Sequence, residues 1–174
     1  MTARLVLLPV LSATTVLLAS ACSSGGGIGP LSGAGGQATE CFPALKDRTV
    51  TDGLDVLQNS GKIPATVRKV TLTNPHGVAM TTRAWLVPIW HTQGDYDAIG
   101  DGFPYPPVTW GTWKRRQPAI GGVIRPGQSL NLVFGIKRTA RTARSGPTAI
   151  VYTAGGATYA LTESTSTVMK HGSC

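Results

Sequence analysis

Beyond residue 41, apolar and polar positions alternate with a period of two along much of the chain, the spacing of half-buried strands. Ser129 to Arg138 is the clearest case: Leu130, Leu132, Phe134 and Ile136 fall on one face, Asn131 and Lys137 on the other. Val67 to Thr73 alternates at Val70 and Leu72. Thr148 to Thr153 and Ala157 to Thr162 flank Ala154-Gly155-Gly156, a hairpin signal. Thr82 to His91 is apolar on both faces, as in a central strand, with Pro88 marking a bulge or an edge. Thr49 to Asn59 and Thr165 to Met169 complete the set, and no stretch of 12 or more residues has helical periodicity. Asn59-Ser60-Gly61, Asn74-Pro75-His76-Gly77 and Arg125-Pro126-Gly127 supply turns between them. About seven short strands predict an all-β protein, a two-sheet antiparallel sandwich.

One segment breaks the alternation. Thr92 to Gln117 interleaves Gly94, Gly100, Gly102, Pro104, Pro106 and Pro107 with Tyr96, Phe103, Tyr105, Trp110 and Trp113. A long loop in a compact domain often carries function. Trp110 and Trp113 stand beside Tyr105 in a stretch that reads either as a stacking platform for a sugar or peptide or as added core.

The N-terminal pattern differs again. Met1 to Arg4 is short and positive, Leu5 to Leu18 is apolar, and Ala19-Ser20-Ala21 are small residues directly before Cys22. This reads as a secretory signal peptide, and the apolar run is short for a membrane span. The small residues followed at once by Cys22 resemble the lipobox of bacterial lipoproteins, although Ala19 stands where that family prefers Leu. The resemblance implies that residues 1–21 are removed and that Cys22 carries a diacylglyceryl group and becomes the new N-terminus. The expected place is extracytoplasmic, anchored to the outer face of the cell membrane. Residues 22–40, rich in Gly, Ala and Ser, read as the lipidated cysteine and a disordered tether, and 41–174 as the domain. A lipobox, a Gly/Ser tether and an Ala/Gly/Thr/Arg-rich domain together resemble actinobacterial-type secreted lipoproteins.

Composition sharpens this. The chain has 174 residues and three cysteines, which leaves Cys41 and Cys174 to pair once Cys22 is assigned. The Val56 to Val67 and Arg125 to Leu130 phrases resemble strand entries of Ig-like bacterial surface domains, which implies an Ig-like sandwich and carries no functional residue with it.

Little catalytic chemistry is legible. There is no G-x-S-x-G elbow. His76 lies in a turn, His91 at a strand end and His171 near Cys174. His171-Gly172-Ser173-Cys174 departs in order and spacing from the S-H-G-C motif of L,D-transpeptidases. From Cys41 onward the acids are Asp47, Asp52, Asp55, Asp95, Asp97, Asp101 and Glu163, few for a glycosidase pair. Asp95, Asp97 and Asp101 miss the EF-hand pattern, and Met80 and Met169 form no soft-metal cluster. No catalytic residue, metal or cofactor is expected, and the protein reads as a non-enzyme; His91 with Asp95 or Asp97 is the pair an enzyme reading would need.

Charge supplies the remaining signal. The chain carries 16 Lys+Arg against 8 Asp+Glu, and residues 1–21 hold only one of the basic ones. Lys114, Arg115 and Arg116 form one run, and Lys137, Arg138, Arg141 and Arg144 another. Such runs suit a polyanion or a solvated face. Nucleic acid is not expected outside the membrane, so the expected partners are the membrane, an envelope protein or an anionic envelope polymer. The expected function is a lipid-anchored binding or interaction module with an unidentified ligand. A structural accessory subunit without its own ligand is the alternative, and an envelope enzyme with an unrecognised site the less favoured one.

Overall fold

A computed structural model describes residues 29–34, 37–43, 48–92 and 95–174, with the backbone alone at 34, 90–92 and 95–97. Residues 1–21 and Cys22, the expected signal peptide and lipidation site, lie outside the described residues. Fifteen strand segments and one 3-10 turn make up the described part.

The first layer is built on β11 (Ser129–Arg138). One side of β11 pairs with β6 (Val78–Pro88), which pairs in turn with β9 (Gln117–Pro118). Its other side pairs with β3 (Thr49–Asp52) at Phe134 to Lys137 and with β4 (Val56–Asn59) at Ser129 to Asn131. β3 and β4 are thus one edge broken at residues 53–55. β1 (Leu31–Ala34) adds to the outside of β4.

The second layer contains two sheets. β10 (Val123–Ile124), β5 (Ala65–Leu72), β13 (Thr148–Ala154) and β14 (Ala157–Thr162) form one, in that order. β12 (Ala143–Ser145), β15 (Thr165–Lys170) and β2 (Ala38–Pro43) form the other. β7 (Trp90–Thr92) and β8 (Asp95–Asp97) make a separate hairpin beyond β6.

The alternation does what it predicts. Leu130, Leu132, Phe134 and Ile136 of β11 meet Val67, Val70, Ile150 and Tyr152 of the opposite layer in one core. The Gly155-Gly156 turn closes the β13–β14 hairpin, with Ala154 opposite Ala157. The fold is therefore the expected all-β, two-layer sandwich, with more and shorter strand segments than the pattern predicts.

Two details differ from expectation. Leu31 to Ala34 and Ala38 to Glu40, expected in the tether, are strand residues, and Leu31 is buried against the core. Small Gly and Ala side chains look like linker, but a backbone laid on an exposed edge needs no large side chain to pair. In addition, β2 runs parallel to β15, so the sandwich is not wholly antiparallel. Cys41 lies opposite Val168 in that pair and is bonded to Cys174, as expected, with Cα atoms 5.9 Å apart. Closing a loop this long restricts the unfolded chain by an amount worth about 5 kcal/mol as an upper estimate.

The layers define two ends. At one, the Pro30 carbonyl accepts the Ser60 N–H (2.9 Å), and Asn59 N–H donates to Gln128 O (3.0 Å) just before β11 begins. This is where the chain enters. At the other lie Arg138 and the turn Asn74 to Gly77, with Thr139 N–H donating to Gly77 O (2.8 Å). Ten residues of β11 separate the two ends by about 30 Å.

Candidate functional site

The aromatic segment is not a free loop. Phe103 to Tyr105 lies along β3: Thr51 N–H donates to Phe103 O (2.7 Å) and Tyr105 N–H to Thr49 O (3.4 Å). A Cβ at Gly135 would stand 2.8 Å from the Tyr105 ring, so glycine there lets the ring lie on the outer face of the first layer. A 3-10 turn (Gly111–Arg115) follows. It places Trp113, only 4% exposed, over Val87, Ile99 and Val133 as a second core.

Of the two readings for these aromatics, the structure gives core to Trp113. Its ring meets Trp85 edge-on at 5.9 Å and Tyr105 at 6.2 Å. Trp85 Nε1–H donates to Tyr105 Oη at 3.0 Å. The Arg116 guanidinium lies 4.8 Å from the Trp85 ring centre and 4.6 Å from that of Trp113, and Nη1–H donates to Trp113 O at 3.0 Å. Arg116 therefore clasps this cluster while remaining exposed. Trp110 is half-buried against Phe103. Tyr105 is half-buried, and Lys114 and Arg115 are exposed.

The second basic run divides the same way. Arg138, expected on a contact surface, is 3% exposed and turns inward. Its Nη1–H donates to Ala140 O (3.1 Å) and Arg141 O (2.9 Å), bracing the bend that follows β11. Guanidinium donors suit stray carbonyls, and that local use is not visible in a list of positive charges. Lys137 is half-buried, while Arg141 and Arg144 are exposed. The braced 138–142 bend forms one wall of an open groove of about 850 Å³, with Lys170 and His171 on the other wall. Arg144 is not among the lining residues; its backbone is paired with that of His76 in the 74–77 turn. Lys170 and His171 were not expected at this site, because the β13–β14 hairpin separates them in sequence from the run they join.

A cluster of carboxyl groups was not foreseen at all. It fills the waist of the sandwich, where β3 gives way to β4 and β1 to β2. Asp101 Oδ1 accepts the Gly53 N–H at 2.6 Å. Burial is the main cause that lifts the Asp101 carboxyl to about 7, Asp55 to about 6 and Glu163 to about 8. Asp52 is raised by burial first and then by Asp101, Asp55 and Glu40. A Thr148 hydrogen bond opposes the rise at Asp55. Glu163 packs against Gly33 of β1, where a Cβ would run into its carboxylate, and its Oε1 is buried without a hydrogen bond. The acids are scattered over 124 positions of sequence, Glu40 to Glu163, and only the topology collects them.

His76 and His171 are exposed. The side chains of His91, Asp95 and Asp97 lie outside the described residues. Among the described residues no group of three or more His, Cys, Asp or Glu is placed to hold a metal, and no helix is long and apolar enough to cross a membrane.

No family model and no curated protein matches the chain. Among solved structures it is similar to an ASH/PapD-like domain of human CEP192 (PapD-like domain 7), at 9% identity and a TM-score of 0.41, over 95% of this chain and 99% of that one.

Proposed function

We propose that the protein is a non-enzymatic, lipid-anchored binding module on the outer face of the cell membrane, and that it holds an anionic polymer of the envelope in the groove between the 138–142 bend and Lys170-His171. The observation that carries the reading is the position of that groove. It lies at the end of the sandwich opposite the point where the chain enters, about 30 Å from it. A module tethered at Cys22 would present the groove away from the lipid. The Cys41–Cys174 bond supports an oxidising setting. The lipobox-like Ala19-Ser20-Ala21-Cys22 supports the anchor.

Arg141 and Lys170 supply the charge, and Arg138 braces the wall. Each basic group near an anionic surface contributes about 1 kcal/mol, screened by salt. Titrating the protein with polyphosphate and with polyglutamate tests this. Binding should weaken steeply between 50 and 300 mM salt, and reversing Arg141→Glu with Lys170→Glu should cost at least about tenfold. Equal affinity for the variant, or no binding at low salt, would remove the groove from the reading. The anchor is tested separately: Cys22→Ala should move the protein out of the detergent phase, and unchanged partitioning refutes it.

The accessory-subunit reading is favoured by one observation. Phe103 and Val108 are 46% and 65% exposed beside half-buried Trp110, an apolar tip suited to a partner protein.

A further inference from the structure

We propose that the end of the sandwich where the chain enters is a lipid-contact face, seated on the anionic surface of the membrane beneath it. The proposal rests on the anchor reading above and adds an orientation to it.

Six residues, 23–28, separate Cys22 from the first described residue, Gly29. Stretched out they span at most about 25 Å. That is shorter than the sandwich is long, so under the anchor reading the entry end is the part of the domain held nearest the bilayer.

That end has the surface such a position calls for. Ile63 and Val123 are 43% and 40% exposed there, and Ile120, 60% exposed, stands on the flank beside them, following Ala119, whose N–H donates to Ala84 O (2.9 Å) at the level of Phe134. The fold ties them together. The buried Asn59 amide donates to both Ile63 O and Ile124 O at 2.9 Å, fastening the 60–64 loop to β10. Val123 pairs with Thr66, and Gly121 N–H donates to Val67 O at 2.9 Å. Lys62 and Arg125 are exposed on the same two segments. Arg115 lines a groove with Val123 and Arg125. Neither 60–64 nor 119–128 contains an acid. Apolar tips that enter the headgroup boundary, flanked by cations that meet lipid phosphates, are the chemistry of interfacial binding.

The test uses the acylated protein in vesicles of phosphatidylcholine, with or without phosphatidylglycerol. An environment-sensitive fluorophore is placed at Ile63→Cys, or at Val123→Cys if the first variant folds poorly, and at Arg141→Cys in the opposite end. Flotation reports the anchor, and the fluorophore reports the face. With anionic vesicles the probe at 63 or 123 should shift to the blue and be quenched by spin-labelled lipid chains, while the probe at 141 should not. Lys62→Glu with Arg125→Glu should reduce that quenching several-fold without loss of flotation. A protein that floats while its probe at 63 or 123 stays in water overturns the face and leaves the anchor intact. A shift produced by soluble polyphosphate or by a second copy, with no vesicles present, also overturns it. A protein that does not float refutes the anchor instead.

Discussion

Asn131 shows how much one residue decides in this fold. On β11 it alternates with the core leucines, and the sequence places it on the polar face. It is 1% exposed. Its amide donates to Gly53 O (2.7 Å) and Asp55 O (2.9 Å), and its carbonyl oxygen accepts the Ile99 N–H (2.8 Å). These bonds satisfy the backbone groups exposed where β3 breaks from β4, and they fasten the aromatic segment to the first layer. Alternation predicts its direction correctly but cannot predict that another segment covers that face. Asn131→Leu keeps the volume and strands Gly53 O and the Ile99 N–H, while Asp55 O keeps its bond from the Leu132 N–H (2.8 Å). It should destabilise the fold by about 2–3 kcal/mol, which a urea titration measures; a loss below 0.5 kcal/mol would mean that the break is held by other contacts. Arg138 teaches the same lesson for the site: a list of cations shows where charge lies in sequence, not which guanidinium has been spent on its own backbone.

At the scale of elements, the strands were legible and their coverings were not. β13 follows its alternation closely, every second residue buried, because it has one face against a single core, whereas β11 is buried on both faces. The segment 98–117 has no period to read, yet it forms a second hydrophobic layer on the first sheet. The excess of tryptophan is its signal, and it reads as added core or as a binding platform. Packing divides the answer by residue, with Trp113 inside and Trp110 at the margin. Arg116 is the latch of this element. Arg116→Ala removes two cation–π contacts and one hydrogen bond and should cost about 1 kcal/mol. It should also raise the accessibility of tryptophan to acrylamide quenching. Unchanged quenching would show that the turn holds Trp113 without its latch. β1 is the opposite case, a strand hidden in a linker-like composition, because an edge can be filled by backbone pairing alone.

At the scale of the molecule, charge is sorted by place. Basic side chains occupy both ends and the surface, while Asp52, Asp55, Asp101 and Glu163 crowd the buried waist. This sorting has a consequence for pH. The fold keeps these carboxyls protonated to higher pH than the unfolded chain does, so unfolding releases protons. Their stabilising contribution is complete below about pH 4 and is lost as pH climbs through about 6 for Asp55, 7 for Asp101 and 8 for Glu163. The midpoint of thermal unfolding should be several degrees higher at pH 5 than at pH 8.5. Glu163→Gln should flatten the upper part of that slope. A flat profile, or one rising with pH, would show that the waist does not hold its protons. None of this was legible beforehand, since the desolvation comes from strands distant in sequence.

The bond between Cys41 and Cys174 also sets the path of mechanical load. Suppose a polymer seated against Lys170 and His171 is pulled while the N-terminus is fixed. Tension enters at Gly29, runs along β1 and β2 to Cys41, crosses the sulfurs to Cys174 and reaches the groove within four residues. The two cysteines are 133 positions apart, and nearly all of the sandwich lies within that span, off the line of force. Only β1 and the start of β2 bear the strain. β1 lies antiparallel on β4, its pairs loaded in shear, so it would slip before the core felt the pull. The domain would then behave as a rigid bead on a line, with one short strand as its extensible link.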